Sequence, residues 1–270
     1  MKIVDCFIFY NELDMLLYRL NSLVDCVDYF VIVESRYTHS GKEKELFFDN
    51  NKKLFETFIP KIIHIIIDQF PYIYPNIDYS KNQQWINEHF QRDSIKNGLD
   101  KIVLNDEDII IVSDLDEIPD FHLLTYIKHN TFIIDNICCL EQDLYYYNLN
   151  TKIMDKWCLC KILSYKKYKE LNLSFQDIRY FDSNNNKISK GGWHLSYFGD
   201  KYFIQNKIQN FGHQEFNNEN YTNVETIDTR IKNQIDIYGR YENNIVKIPI
   251  KENPYLPHHY EKYLSKFVLY

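Results

Sequence analysis

Four short apolar runs, each ending on polar residues, punctuate the first 114 residues: IVDCFIF (3–9), YFVIVES (29–35), KIIHIIID (61–68) and DIIIVSD (108–114). Runs this short and this continuously apolar suit strands buried on both faces. Helical patterns separate them. NELDMLLYRLNSLV carries Leu13, Leu16, Leu17, Leu20, Leu23 and Val24 at helical spacing, with Asn11 as the expected N-cap. DNNKKLFETFI reads as a short amphipathic helix, and 80–99 as a longer one with Trp85, Ile86, Phe90, Ile95 and Leu99 facing the core. This alternation predicts an α/β fold, a mostly parallel sheet flanked by helices, in which ligands bind at the carboxyl ends of the strands.

Those strand ends are polar beyond what a purely structural sheet needs. They carry Asn11 and Glu12, then Glu34 and Ser35, then Asp68, then Asp114 and Asp116. Each taken alone is an ordinary turn or cap residue; gathered on one edge, they predict a site. The last run continues as IIIVSDLDEIPD, which crowds Asp114, Asp116, Glu117 and Asp120 together. Carboxylates this close raise one another's pKa unless cations or donors intervene. A D-x-D pair at a strand end suits a nucleotide diphosphate bound through Mg²⁺ or Mn²⁺, which takes oxygen ligands from one or two carboxylates and from phosphate. Alternate side chains of an extended segment share a side. Asp116 is therefore expected on the cation and Asp114 between a ribose and a metal-bound water. Leu115 is expected in the core, Glu117 turned away, and Asp120 capping a helix from Phe121.

The remainder is irregular and aromatic. IDNICCLEQDLYYYNLN (134–150) predicts a strand with Glu141 and Asp143 near its middle. WCLCKILSY (157–165) predicts another, GGWHLSYFGD (191–200) a glycine-led strand, and 200–211 a helix before HQEF. Aromatics on strands are mostly core, although carbohydrate clefts also use aromatic faces. With 270 residues, 45% hydrophobic, and no repeat or low-complexity linker, one compact unit over 1–270 is expected. A net charge of −7 argues against nucleic acid as the main partner. No apolar run reaches the roughly 20 residues that span a bilayer, and Asp5 interrupts the first run. The expectation is a soluble, cytoplasmic protein without a membrane anchor. The six cysteines lack C-x-x-C spacing and read as buried free thiols.

FYNELDMLLYRLNSL, VDYFVIVES, FQRDSIKNGL, VSDLDEIPD, YYYNLN, GGWHLSYFG and HQEF, in this order and spacing, resemble glycosyltransferase family 17, from residue 3 to about residue 240. The resemblance implies a GT-A fold with a Rossmann-like sheet, a divalent cation and a UDP-sugar donor, UDP-N-acetylglucosamine in characterised members. It also implies a glycan acceptor and inversion at the anomeric carbon. Residues 1–117 then form the nucleotide-sugar half and 118–270 the acceptor and catalytic half. By a wider likeness to GT-A enzymes, Glu12 and Glu34 lie beside uracil and ribose, with Asn11 and Ser35 adjoining and Arg92 facing the nucleotide. Glu215 in HQEF is the first choice for catalytic base, with Glu141 and Asp143 behind it. His194 or His213 completes the metal shell or contacts the diphosphate.

Two other classes compete. A sugar-nucleotide nucleotidyltransferase usually needs a glycine-rich phosphate loop near its N-terminus, and FIFYNELD has no glycine. A catalytically inactive glycan-binding protein has no use for the repelling pair Asp114 and Asp116.

Overall fold

A computed structural model of the chain describes residues 1–130, 133–240 and 244–269. The predicted runs are strands: β1 (Ile3–Phe9), β2 (Tyr29–Ser35), β3 (Ile62–Ile67) and β4 (Ile109–Asp114). Beyond them come β5 (Glu117–Pro119), β6 (Cys138–Tyr146), β7 (Thr151–Trp157), β8 (Lys161–Ser164), β9 (Lys187–Ser196) and β10 (Ile245–Lys247). One sheet runs β10-β7-β6-β8-β4-β1-β2-β3, with β9 paired to both β5 and β6.

The expectation of a mostly parallel sheet describes only one side. β3, β2, β1 and β4 are parallel, but β8 pairs antiparallel with β4, and β7 antiparallel with β6 and β10. The sheet is mixed. On the parallel side alternate residues feed two cores. Phe7, Ile109 and Ile111 pack on one face with Leu16 and Leu20, while Cys6, Ile110 and Val112 pack on the other with Ile95 and Leu99. The register sets Ile8 beside Asp114 and Phe9 beside Glu34, so three polar strand ends share one edge.

Helix Leu13–Leu23 starts at Glu12, and Asn11 makes no capping bond. The long helix expected over 80–99 is broken into Tyr79–Lys81, Gln83–Asp93 and Ile95–Leu99. Its middle piece exposes Ile86 and Phe90 and buries Gln84, Asn87, Gln91 and Arg92, the reverse of its apolar pattern. The buried amides have work to do: Gln91 donates to the Phe9 and Val33 carbonyls, and Asn87 to those of His39 and Tyr72. Asp120 caps helix Phe121–His129 as expected, accepting from Leu123 N–H at 2.8 Å.

Gly191 and Gly192 lie where β9 is pressed between β5 and β6. Gly192 has φ +129°, and a Cβ there would lie 2.0 Å from the Ile118 carbonyl oxygen. All the cysteines are free, with Cys138 and Cys158 only half-buried. Among the described residues no helix is long and apolar enough to cross a membrane.

Candidate active site

A cavity of about 310 Å³ opens at the shared strand edge. Tyr10 and Glu12 after β1, Tyr37 to His39 after β2, and Asp114 to Asp116 after β4 form one side. Trp157, His194, Tyr146 and Tyr238 come from the mixed part of the chain, and Lys207 from helix Lys201–Asn210. Antiparallel pairing of β5 with β9 sets His194 opposite Glu117, and Leu195 N–H bonds the Asp116 carbonyl at 2.8 Å.

Asp114, Asp116 and Glu117 are each matched by a cation, Asp114 and Glu117 sharing Arg179. Arg92 donates to one oxygen of Asp114 at 2.7 Å and Arg179 to the other at 2.6 Å. Burial works against the Asp114 charge, but Arg179 and then Arg92 outweigh it and hold the carboxyl at about 2. Arg179 also forks onto buried Glu117 at 2.7 and 2.8 Å, and the Trp157 indole N–H bonds the same carboxylate. Glu117 thus lies away from the cavity, locked beneath Asp114.

Asp116 is held differently. Lys207 Nζ is 2.9 Å from Oδ2, and His194 Nε2 is 3.5 Å from Oδ1. Burial opposes this charge too, yet Lys207 and His194 keep the carboxyl well below the usual range. Lys207 also lies 3.7 Å from Glu12 Oε1. Burial lowers its pKa, but Asp116 and Glu12 prevail and raise it above its ordinary value. The His194 ring packs against Trp157 at a tilt of 49°, with ring centroids 4.5 Å apart. No described residue bonds its buried Nδ1, so the Asp116 carboxylate facing Nε2 is the polar contact of the ring.

Among the described residues, no group of three or more His, Cys, Asp or Glu side chains is arranged to hold a metal ion by itself. Both oxygens of Asp114 are taken by arginines. Asp116 Oδ1 and His194 Nε2, 3.5 Å apart on the cavity wall, can converge on one ion. This set does not make a closed protein cage. It fits a cation whose shell is completed by phosphate oxygens and water, the usual mode for Mg²⁺ beside phosphates.

The sequence profile of glycosyltransferase family 17 matches residues 1–245. The chain belongs to glycosyltransferase family 17. It is also similar to β-1,4-mannosyl-glycoprotein 4-β-N-acetylglucosaminyltransferases. The Homo sapiens and Rattus norvegicus proteins are each 31% identical over 113 residues, and the Mus musculus protein 30%. Each match covers 40% of this chain and only 20% of the relative's length.

The family 17 chain brings Glu12, Asp114, Asp116, His194 and His213 to the cavity wall. Others expected at the site lie elsewhere. Arg92 is fully buried, with its fork spent on Asp114, Glu88 and Gln176, so it stands behind Asp114 and does not face the cavity. Glu34 is buried off the wall because its oxygens meet Phe48 N–H and His64 Nε2, each at 3.0 Å. Ser35 Oγ accepts from Tyr37 N–H. Asn11 bonds Asn206 beside the cavity, leaving its own Oδ1 buried without a partner among the described residues.

The three base candidates also separate. Asp143 is buried off the wall and pairs with Lys152 and Lys156. Glu141 is half-buried, and no described residue bonds its side chain. Glu215 is exposed and 2.7 Å from Nδ1 of His213, whose ring packs on Trp85 at 4.5 Å.

Arg179, Lys207 and Trp157 are site residues that sequence reasoning missed. Lys207 alone left a signal: it precedes buried Ile208 and follows buried Ile204 by three, a lysine on an apolar helix face.

Proposed function

We propose that this chain moves a sugar, N-acetylglucosamine, from a UDP-sugar to a glycan hydroxyl with inversion, on a GT-A-type scaffold. One observation carries the reading: in a family 17 chain, Asp114 and Asp116 both border the cavity at the carboxyl edge of the parallel strands. The edge built from residues 1–117 takes the nucleotide, and the aromatic wall of Tyr146, Trp157 and Tyr238 takes the acceptor. A divalent cation, Mn²⁺ or Mg²⁺, would be held by Asp116 with His194 beside it, offsetting charge on the departing diphosphate when bound.

In the transfer the acceptor oxygen bonds the anomeric carbon as the carbon–oxygen bond to the β-phosphate breaks. UDP leaves with that electron pair, and the hydroxyl proton passes to a carboxylate. Glu215 remains the first candidate for this base, because it is bonded to the cavity-lining His213. Burial between two lysines makes Asp143 the weakest.

The test is UDP release from UDP-N-acetylglucosamine, with and without Mn²⁺, by the wild type and Asp116→Asn. Release lost in EDTA and reduced about 10²–10³-fold by the substitution is expected. Undiminished turnover of Asp116→Asn would end the assignment. Preference for UDP-glucose or UDP-galactose would retain the reaction and replace the donor sugar.

A further inference from the structure

Among the cations that hold the acids of the turn, Lys207 is the one free to change partners; Lys44, also on the wall, is 7% exposed beside Glu34, and Arg240 forks onto Asp236. Arg92 and Arg179 have side chains 0% and 3% exposed, and each is tied to two carboxylates. Lys207 is 20% exposed, borders the cavity, and reaches Asp116 from helix Lys201–Asn210 on a flexible four-carbon stem. Its ammonium has three protons. Among the described residues only Asp116 Oδ2, at 2.9 Å, is within hydrogen-bond distance, Glu12 Oε1 being at 3.7 Å, and the Tyr197 ring lies 5.5 Å beneath. Donor capacity is therefore left over at the cavity, beside the carboxylate that this site's reading assigns to the leaving group.

Building on the donor reading above, we propose that Lys207 is the diphosphate-binding cation of this site. In the unliganded protein it rests on Asp116, and it gives its ammonium to a phosphate oxygen when a nucleoside diphosphate enters. A strongly hydrated point charge on a long stem suits a phosphate group that must bind and later depart. A lysine that merely neutralised Asp116 would weaken an anionic ligand only through the charge it leaves bare on Asp116, so its effect would vanish in an Asp116→Asn background.

The experiment is titration calorimetry of UDP and of uridine, with Mn²⁺ present throughout, on the wild type, Lys207→Gln and Lys207→Arg. A charge-assisted hydrogen bond to phosphate predicts that Lys207→Gln weakens UDP about tenfold to hundredfold. Uridine binding should stay within about twofold, which also reports that the variant is folded, and Lys207→Arg should recover most of the UDP affinity. Equal losses for UDP and uridine would overturn the proposal, as would unchanged UDP binding, or a UDP loss that disappears when Lys207→Gln is made on Asp116→Asn and so reduces Lys207 to a counterion. A wild type that binds neither ligand would refute the donor reading itself, before any variant is compared.

Discussion

Arg19 is completely buried and is expected to carry more of the fold than any other single charge. Its Nε and Nη2 fork onto Asp5 at 2.8 and 2.6 Å. Nη1 donates to the carbonyls of Asp114, Leu115 and Glu117, each at 2.9 Å, and Nη2 to Ser113 Oγ at 2.7 Å. The guanidinium lies over the Phe7 ring, 4.3 Å from its centroid. These carbonyls belong to the turn after β4, so Arg19 holds the backbone from which Asp114 and Asp116 project. Arg19→Met strands the Asp5 charge, a loss of about 3–5 kcal/mol for a broken buried pair. It also leaves three carbonyls short of a donor, at about 1–3 kcal/mol for each left unsatisfied. These terms overlap, because Asp5 can protonate and the turn can relax. A net loss of at least about 4 kcal/mol is expected, against a typical total of about 5–15. The double variant Asp5→Leu/Arg19→Met separates the parts. An apolar replacement of a buried pair is often nearly neutral, so any remaining loss belongs to the carbonyls, at about 2 kcal/mol or more. Urea unfolding of the wild type, single and double variants measures both. A double variant as stable as the wild type would refute the clamp on the turn.

The two acids of the pair should differ in stability. Asp114→Asn strips a charge from two buried guanidiniums and should cost about 3 kcal/mol. Asp116→Asn leaves Lys207, 20% exposed, with Glu12 and cavity water and should cost less; melting curves in the reverse order would refute this. Glu117→Gln removes the charge under Arg179, with a similar loss of about 3 kcal/mol and a melting point about 6–12 °C lower. An unshifted melting point would refute the lock of Glu117 under Arg179. Gly192→Ala should cost more than about 2 kcal/mol, because φ is +129° and the Ile118 oxygen is in the way. Gly239→Ala, at φ +72° with nothing within 4 Å, should cost about 1 kcal/mol, and equal losses by urea unfolding would discount the steric argument. Burial, then His259 and His122, hold His258 below its ordinary 6.5. The unfolded chain therefore binds this proton first, so the contribution of neutral His258 is present above pH about 6.5 and declines as pH falls below it. His258→Phe, stacked on Phe121, should flatten the urea midpoint between pH 7 and 5; an unchanged slope would exclude His258 as its source.

The parallel side of the sheet was legible because β1 to β4 are continuous apolar runs that end on polar residues. The cap at Asp120 was legible because its role is local. Helix Gln83–Asp93 misled for a physical reason. Apolar periodicity marks the face that meets an apolar surface, but this helix meets strand-end carbonyls, and Gln91 and Asn87 satisfy them. The mixed side was hidden because β8 slots between β6 and β4, a pairing that no local pattern encodes. The same long-range pairing brings Trp157 and His194 to the wall. Arg179 comes from a short helix whose sequence, FQDIR, has no motif.

The crowding of Asp114, Asp116 and Glu117 is resolved by cations of two different mobilities. Asp5 meets Arg19 beneath the turn, Glu117 meets Arg179, and Asp114 meets Arg92 and Arg179. These guanidiniums are planar forks fixed by several bonds each, so the backbone and Asp114 are set before any ligand arrives. Asp116 alone is matched by an ammonium on a flexible stem at the cavity. Exchanging that partner for a ligand's charge disturbs none of the arginine pairs beneath it. Rigidity under the turn and one exchangeable contact at the cavity therefore follow from a single choice, arginine for Asp5, Asp114 and Glu117 and lysine for Asp116.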